Sequence, residues 1–465
     1  MNDPHIVVLG GGPAGCAAAF QLRRKGKGRV TLLERQDVVG GNAGSFFANG
    51  QHLDYGSHRL HAACDPEILR DIREMLGDDL AHQVRHGRIR LRDRFLHFPI
   101  KTVDLLLRLD KRFALGMGLD MATRALPFKS DEGTTFASVL RANLGKTMCE
   151  GFYFPYSRKL WGFEPEQLSG IQAQKRVSAG SFVKLLKRLI SPPGEGKFYY
   201  PRRGYGQLSE IYAEAATKSG ADIRLGWNVD SVTREDGKWL IDASCDGSSE
   251  RIEADHVWST IPLTVLIRMM EPKAPAEVFR ATQSIEFRAM VLGYLELDVD
   301  QFTPTDAHYF PEANVRMTRL SEPKNYFGTS QPAGRTTLCA ELPCKQGDEL
   351  WSMSDEDIGR LVVDDMARAG LPLARPPLSF STRRLPQAYP IYTNGYEDHL
   401  TLMDSWLASL PNFLVYGRQG LFAHDNTHHA FYMAYCAVEC LEGPHFNDRK
   451  WQEYREIFAT HVVED

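Results

Sequence analysis

An α/β protein is what the sequence predicts, and three neighbouring stretches predict it: a short apolar run His5–Leu9, a glycine-rich turn, and an alanine-rich segment Ala14–Lys25 with helical spacing. The apolar run, closed by glycine, reads as a strand buried in a parallel sheet. Ala14–Lys25 reads as a helix with Gly26 as its stop. Between them Gly10, Gly12 and Gly15 have the spacing G-x-G-x-x-G. Gly10 permits the tight turn, Gly12 lets the backbone approach a pyrophosphate, and Gly15 allows the helix to pack closely on the strand. The helix start offers unpaired N–H groups and a positive dipole end to phosphates. Arg29–Glu34 follows as a second strand, and Glu34 closes it at the spacing of an acid that holds ribose hydroxyls. Strand, glycine turn, helix, strand and acid in this order define a Rossmann-like dinucleotide site.

The segment after Glu34 bears on which dinucleotide is expected. A nicotinamide domain proceeds to another helix, whereas here Gly40-Gly41 allow the backbone to fold back towards the same pyrophosphate. That favours FAD, long and deeply enclosed, as the expected cofactor, although the pair taken alone reads better as a glycine turn between two strands.

Composition narrows the class. A chain of 465 residues, 43% hydrophobic and 25% charged, is long enough for two domains with sizeable cores. A net charge of -4 and the lack of a pervasive basic face argue against nucleic acid as partner, so a small molecule is the expected substrate. The eight cysteines form no CxxC pair, and Cys436 and Cys440, one helical turn apart, read as core residues in a reducing, cytoplasmic setting. The first strand begins at once, leaving no room for a signal peptide, and no apolar run is long enough to cross a bilayer. His424 and His428 have the i, i+4 spacing of a metal pair but lack an intervening acid and further ligands, so no metal site is expected.

Further along, the pattern alternates between two bodies. Residues 66–195 read as a mostly helical insertion with helices at Pro66–Leu80, Thr102–Arg124, Thr134–Gly151 and Ser178–Ile190. Within it Arg88, Arg90 and Arg92 share one face of a strand, a solvated face or an anion-facing wall. The nucleotide-binding pattern resumes over 196–262, a strand-rich excursion fills 263–385, and the chain returns over 386–445, leaving 446–465 as a C-terminal extension. The expected FAD-binding domain is thus 1–65, 196–262 and 386–445, and the substrate domain 66–195 and 263–385. In the last return Gly417-Arg418 precede Asp425, Asn426 and Thr427, good caps for a helix reaching Leu441.

Taken together these residues resemble the FAD-dependent amine oxidase superfamily, in its branch of UDP-galactopyranose mutases and protoporphyrinogen-oxidase-like flavoproteins. Gly40-Gly41-Asn42-Ala43 is similar to the mutase form of the second glycine motif, in which most amine oxidases carry Arg in place of Asn42. Asp54-Tyr-Gly-Ser-His58-Arg-Leu-His61 is similar to a segment whose His lies beside the isoalloxazine. The resemblance implies a glutathione-reductase-type FAD domain with a discontinuous α+β substrate domain. It also implies that the helix start at Asn426 and Thr427, after Gly417-Arg418, faces the flavin's pyrimidine carbonyl and stabilises the charge placed there by reduction.

The same resemblance supplies substrate residues. Tyr156-Ser-Arg-Lys-Leu-Trp161-Gly162 is similar to a Y-x-x-K-x-W motif, implying that Trp161 stacks on a planar or sugar face, whereas the residues alone equally allow a core tryptophan ending a helix. Arg176 and Arg288 fall where mutases carry arginines that clamp a nucleotide diphosphate, a bidentate task suited to guanidinium. Tyr389 matches a mutase tyrosine, but Met317 stands where mutases have one two residues before Arg319, and Arg59 stands where bacterial mutases have an apolar residue. The expected activity is that of an FAD-dependent oxidoreductase acting on a polar small molecule, with His58, Arg176, Arg288 and Tyr389 at the reacting centre and Trp161 and Arg319 on the substrate. The alternative is a redox-neutral mutase that uses reduced FAD on a nucleotide sugar.

Overall fold

The computed structural model describes residues 3–98, 108–124, 134–176, 196–329 and 331–463. The expected helix Ser178–Ile190 and residues 102–107 of another lie outside the described residues.

A five-stranded parallel sheet holds the order Asp222–Leu225, Arg29–Glu34, His5–Leu9, His256–Ser259, Phe413–Val415. Its strands read as continuous apolar runs because both faces are covered. Ile6, Val8 and Leu32 enter one core with the helix Pro13–Arg24, while Val7, Leu9 and Leu33 enter a second on the opposite face. Ala17, Ala18 and Ala19 are fully buried, and the small side chains let this helix pack against both Gln207–Lys218 and Thr427–Cys440.

On the second face lies an antiparallel meander, Asn228–Glu235, Lys238–Cys245 and Ser248–Ala254. Its two turns are Asp236-Gly237 and Asp246-Gly247, with φ of 48° and 81°, and 48° and 80°. Positive φ at both central positions matches the right-handed strand twist, which is why Asp-Gly stands at each.

The third sheet has seven strands in the order Ser379–Ile391, Glu286–Leu297, Thr336–Cys344, Arg319–Ser321, Ala307–Tyr309, Gly87–Leu91, Arg94–Phe98. Two of them come from the insertion read as mostly helical, and Gly87–Leu91 pairs in parallel with Ala307–Tyr309. Ser379–Ile391 runs unbroken across residue 385, where the sequence reading divides the domains.

The arginine-alternating strand is neither a solvated face nor an anion wall. Arg90 is 5% exposed and is held by Asp93, Glu312 and the carbonyl of Arg368, while Arg92 sits in the hairpin turn at φ 50°. The C-terminal extension adds the helix Asp448–Ala459, which buries Trp451 and Phe458 against Thr427–Cys440. Among the described residues no helix is long and apolar enough to cross a membrane.

Candidate active site

A cavity of about 570 Å³ opens at the carboxyl ends of the parallel strands, lined there by Gly10, Leu33, Glu34, Thr260 and Gly417. This is where doubly wound sheets bind ligands. A Cβ at Gly15 would lie 1.9 Å from the carbonyl oxygen of Gly10, so the helix closes on the strand only with glycine there. A Cβ at Gly12 would meet no protein atom within 4 Å, so the space above it belongs to the cavity. Gly40, at φ 117°, donates its N–H to the Gly11 carbonyl at 2.8 Å and brings the Gly40-Gly41 turn against the first glycine turn. Asn42 lines the cavity but spends its side-chain amide on the Gln387 carbonyl, 2.8 Å away.

Glu34 accepts the N–H of Gly11 at 2.7 Å on one oxygen and that of Gln36 at 2.9 Å on the other. A carboxylate has about four acceptor positions, so both oxygens keep capacity for ribose hydroxyls. Across the cavity Asn426 caps the helix Thr427–Cys440 in a capping box with His429, and Asn426 and Thr427 both line the space. Arg418 donates to the Ala388 carbonyl at 2.9 Å, while its buried Nε and the buried Oε1 of Gln419 have no protein partner. An open glycine cradle, a ribose-type acid, a helix N-terminus, and an orphaned buried donor and acceptor fit a dinucleotide such as FAD.

His58 also lines the cavity and stacks on Tyr205 at 5.3 Å. Its Nε2 lies 3.0 Å from the Tyr55 carbonyl, which can only accept, so Nε2 carries the hydrogen. Burial pushes its pKa down to about 4, leaving a neutral ring with Nδ1 unprotonated. The segment is anchored by Asp54, a residue to which sequence reasoning gave no role. Its carboxylate accepts Ser45 Oγ at 2.6 Å, Tyr200 OH at 2.6 Å and the Tyr205 N–H at 2.8 Å. Burial pushes the Asp54 carboxyl up to about 6.

The expected substrate residues divide. Arg176 lines the cavity with its guanidinium over the rings of Tyr389, at 4.8 Å, and Trp161, at 5.1 Å, and its buried Nε has no acceptor. Tyr389 lines the cavity too, with Arg418 5.1 Å from its ring centre. Arg319 is present but already paired, donating to both oxygens of Glu341 at 2.8 Å. Trp161 is 2% exposed, with edge contacts to Tyr389 and His424, and lies off the cavity, so it is a core tryptophan rather than a stacking platform.

Arg288 corrects the sequence expectation outright. It does not line the cavity, and its guanidinium donates to the carbonyls of Leu160 at 3.0 Å and of Lys159 and Pro343 at 3.2 Å. The carbonyls closing the helix Phe154–Trp161 lack intrahelical donors and carry the negative dipole end, so they draw the cation. The two arginines therefore do not meet. Lys159 of the same motif is likewise structural, donating to the carbonyls of Phe310, Glu312, Val315 and Met317, and burial pushes its pKa down to about 7.

Sequence reasoning also missed Arg59, Arg85 and Lys197, which line the cavity, and a cluster of Asp425, His429 and His461 beside it. No local spacing links His461 to the others. Asp425 Oδ1 lies 3.1 Å from Nδ1 of each histidine, and the two histidines hold its carboxyl down at about 2. Their rings are stacked 4.0 Å apart at 13°, so a metal at about 2 Å from both Nδ1 atoms could not lie in both ring planes. His461 Nδ1 hydrogen-bonds to Asp425 Oδ1, while His429 Nδ1, which accepts the Asn426 N–H, faces the same oxygen, and the cluster ties the C-terminal extension to the helix start.

Fold and cavity thus define a flavoprotein with a dinucleotide cradle and a substrate sheet. The chain belongs to the family of flavin-containing amine oxidoreductases, whose pattern matches residues 13–432, and FAD is its cofactor. It is 23% identical over 500 aligned positions to the chloroplastic protoporphyrinogen oxidase of Oryza sativa subsp. japonica, covering 97% of this chain and 89% of that protein. Among solved structures it is similar to a reduced UDP-galactopyranose mutase, with TM-score 0.84 and 19% identity over 99% of this chain and 100% of the other. It is also similar to a putative protoporphyrinogen oxidase from Exiguobacterium sp. 255-15, with TM-score 0.73 and 22% identity over 94% and 98% of the two chains. At these identities the structural likeness is one of fold.

Proposed function

We propose that the chain is an FAD-dependent oxidoreductase that removes two electrons from a polar small molecule bearing an anionic group. The observation that carries this reading is Arg176, a guanidinium that lines the cavity with a buried donor unsatisfied and, among the described residues, no carboxylate partner. Leaving a buried charged donor unmade is costly, and an oxyanion on the substrate relieves that cost. FAD bound in the cradle supplies two-electron transfer at its ring, with dioxygen or a second carrier restoring the oxidised form. Arg176 binds the anionic group, Tyr389 holds the guanidinium in place, and His58, neutral with Nδ1 unprotonated, can take the proton that leaves the substrate.

A second reading is a redox-neutral mutase acting on a nucleotide sugar, favoured by Arg176 and Tyr389 standing together where the mutase resemblance puts them. The position of Arg288 weighs against it, because a two-arginine diphosphate clamp has only one of its members at the cavity. Product analysis tests the choice. The oxidoreductase reading expects a product two electrons more oxidised than its substrate, and an isomer of unchanged composition overturns it.

A further inference from the structure

Besides Arg176, which lies on the rings of Tyr389 and Trp161, the cavity lining carries a second group of cations set on other rings. Arg59, with its side chain 10% exposed, places its guanidinium 4.9 Å from the Tyr326 ring centre and 5.4 Å from that of Phe198. Its Nη2 is 3.4 Å from Asp306 Oδ1 without hydrogen-bond geometry, and both its Nε and Nη2 are buried with no acceptor. Arg85 lies over the Phe98 ring at 4.3 Å and donates from Nη2 to the Tyr309 hydroxyl at 2.8 Å, and its buried Nε is also without an acceptor. Arg319 approaches the same Tyr309 ring, at 5.8 Å, and Lys197 lines the cavity beside Phe198.

Charge does not balance here. Four cations, Arg59, Arg85, Lys197 and Arg319, face two carboxylates, Asp306 and Glu341, and among the described residues Arg85 and Lys197 pair with neither. Like charges gathered in a partly dry wall repel unless something anionic joins them. Planar guanidiniums with free edges match an oxyanion.

We propose that Arg59 and Arg85, both at Tyr309, together with Lys197 of the same cavity lining, form a second oxyanion subsite, so that the substrate is an elongated dianion held at one end here and at the other by Arg176. This rests on the reading of an anionic substrate given above and extends it. His58 lines the same cavity as both groups, so the reacting bond of such a dianion can lie beside it. The recognised group is an oxyanion, carboxylate or phosphoryl.

The test uses FAD-loaded protein titrated with linear α,ω-dicarboxylates and α,ω-bisphosphonates of increasing length, each against the matched monoanion, with flavin absorbance as the signal. Two subsites joined by one ligand predict a preferred length at which the dianion binds about tenfold or more tighter than its monoanion. Whichever series shows that advantage identifies the oxyanion. Arg85→Gln and Arg176→Gln should each remove the advantage, and Arg85→Lys should restore part of it, with FAD content and the flavin spectrum confirming the fold of each variant. If no length is preferred, or if Arg85→Gln keeps the full advantage while monoanion binding still depends on Arg176, the second subsite is overturned and the anionic-substrate reading stands. If neither monoanion nor dianion binding responds to Arg176→Gln, both readings fall.

Discussion

Arg176 lies with its guanidinium 4.8 Å from the centre of the Tyr389 ring and with its Nε buried and unmatched, whereas Arg288, its expected partner, is committed to the carbonyls of Lys159, Leu160 and Pro343. The two positions separate a cation with an unmatched donor at the cavity from one that holds a helix end.

For Arg176, replacement by Gln removes the charge but keeps a polar side chain in the cavity. We expect anionic ligands to bind about 2 kcal/mol more weakly, the scale of a truncated charged partner, with FAD content unchanged. Titration of flavin absorbance with an anionic ligand checks this, and equal affinity in variant and wild type would contradict it.

For Arg288, the expectation reverses. Arg288→Met leaves three buried carbonyls short of their donor and should cost about 1–3 kcal/mol of stability, read as a lower denaturation midpoint. Ligand affinity of the folded holoprotein should stay within twofold of wild type, roughly the noise of such a titration. A large loss of affinity with stability intact would restore Arg288 to the binding site.

Asp54 predicts a pH signature. Its folded pKa, about 6, stands above the ordinary carboxyl value of 3.8, so the stability linked to its proton is fully present below pH 3.8 and is lost as pH rises through 6. Asp54→Asn does not titrate there. The stability gap between wild type and variant should therefore shift in the variant's favour between pH 4.5 and pH 8, by an amount on the order of 2–3 kcal/mol. A gap independent of pH would contradict the buried, protonatable state.

His58 has the opposite sign. Its folded pKa of about 4 lies below 6.5, so its contribution to stability is present above pH 6.5 and is lost as pH falls towards 4. Above pH 5 the ring is neutral, and the rate of flavin reduction should show no inflection from His58 between pH 5 and 8. His58→Ala should slow reduction about 10²-fold, the lower range for loss of a positioned proton acceptor, while FAD stoichiometry stays at one. Unchanged rates in the variant would remove His58 from the reacting centre.

The cofactor half of the molecule was legible because its chemistry is local: Gly10, Gly12, Gly15 and Glu34 lie within one strand–turn–helix–strand unit, and backbone sterics leave few readings of that spacing. The substrate half was not, because its residues are brought together by sheet pairing over long separations. Gly87–Leu91 sits beside Ala307–Tyr309, and this alone brings Arg85 to Tyr309. Trp161 and Arg288 belong to segments that match a binding motif by type, yet packing turns the first into the core and the helix end captures the second. His461 meets Asp425 only because the last helix packs on Thr427–Cys440.

Whether this chain oxidises an anionic small molecule through its flavin is decided by anaerobic rapid mixing of the oxidised holoprotein with candidate anionic substrates while the visible flavin band is followed. A true substrate should bleach the band in a single turnover, with one substrate consumed per flavin and bleaching slowed in Arg176→Gln. A substrate that is converted only after the flavin has been reduced beforehand, with no net use of reductant, would contradict this oxidation and establish the mutase reading instead.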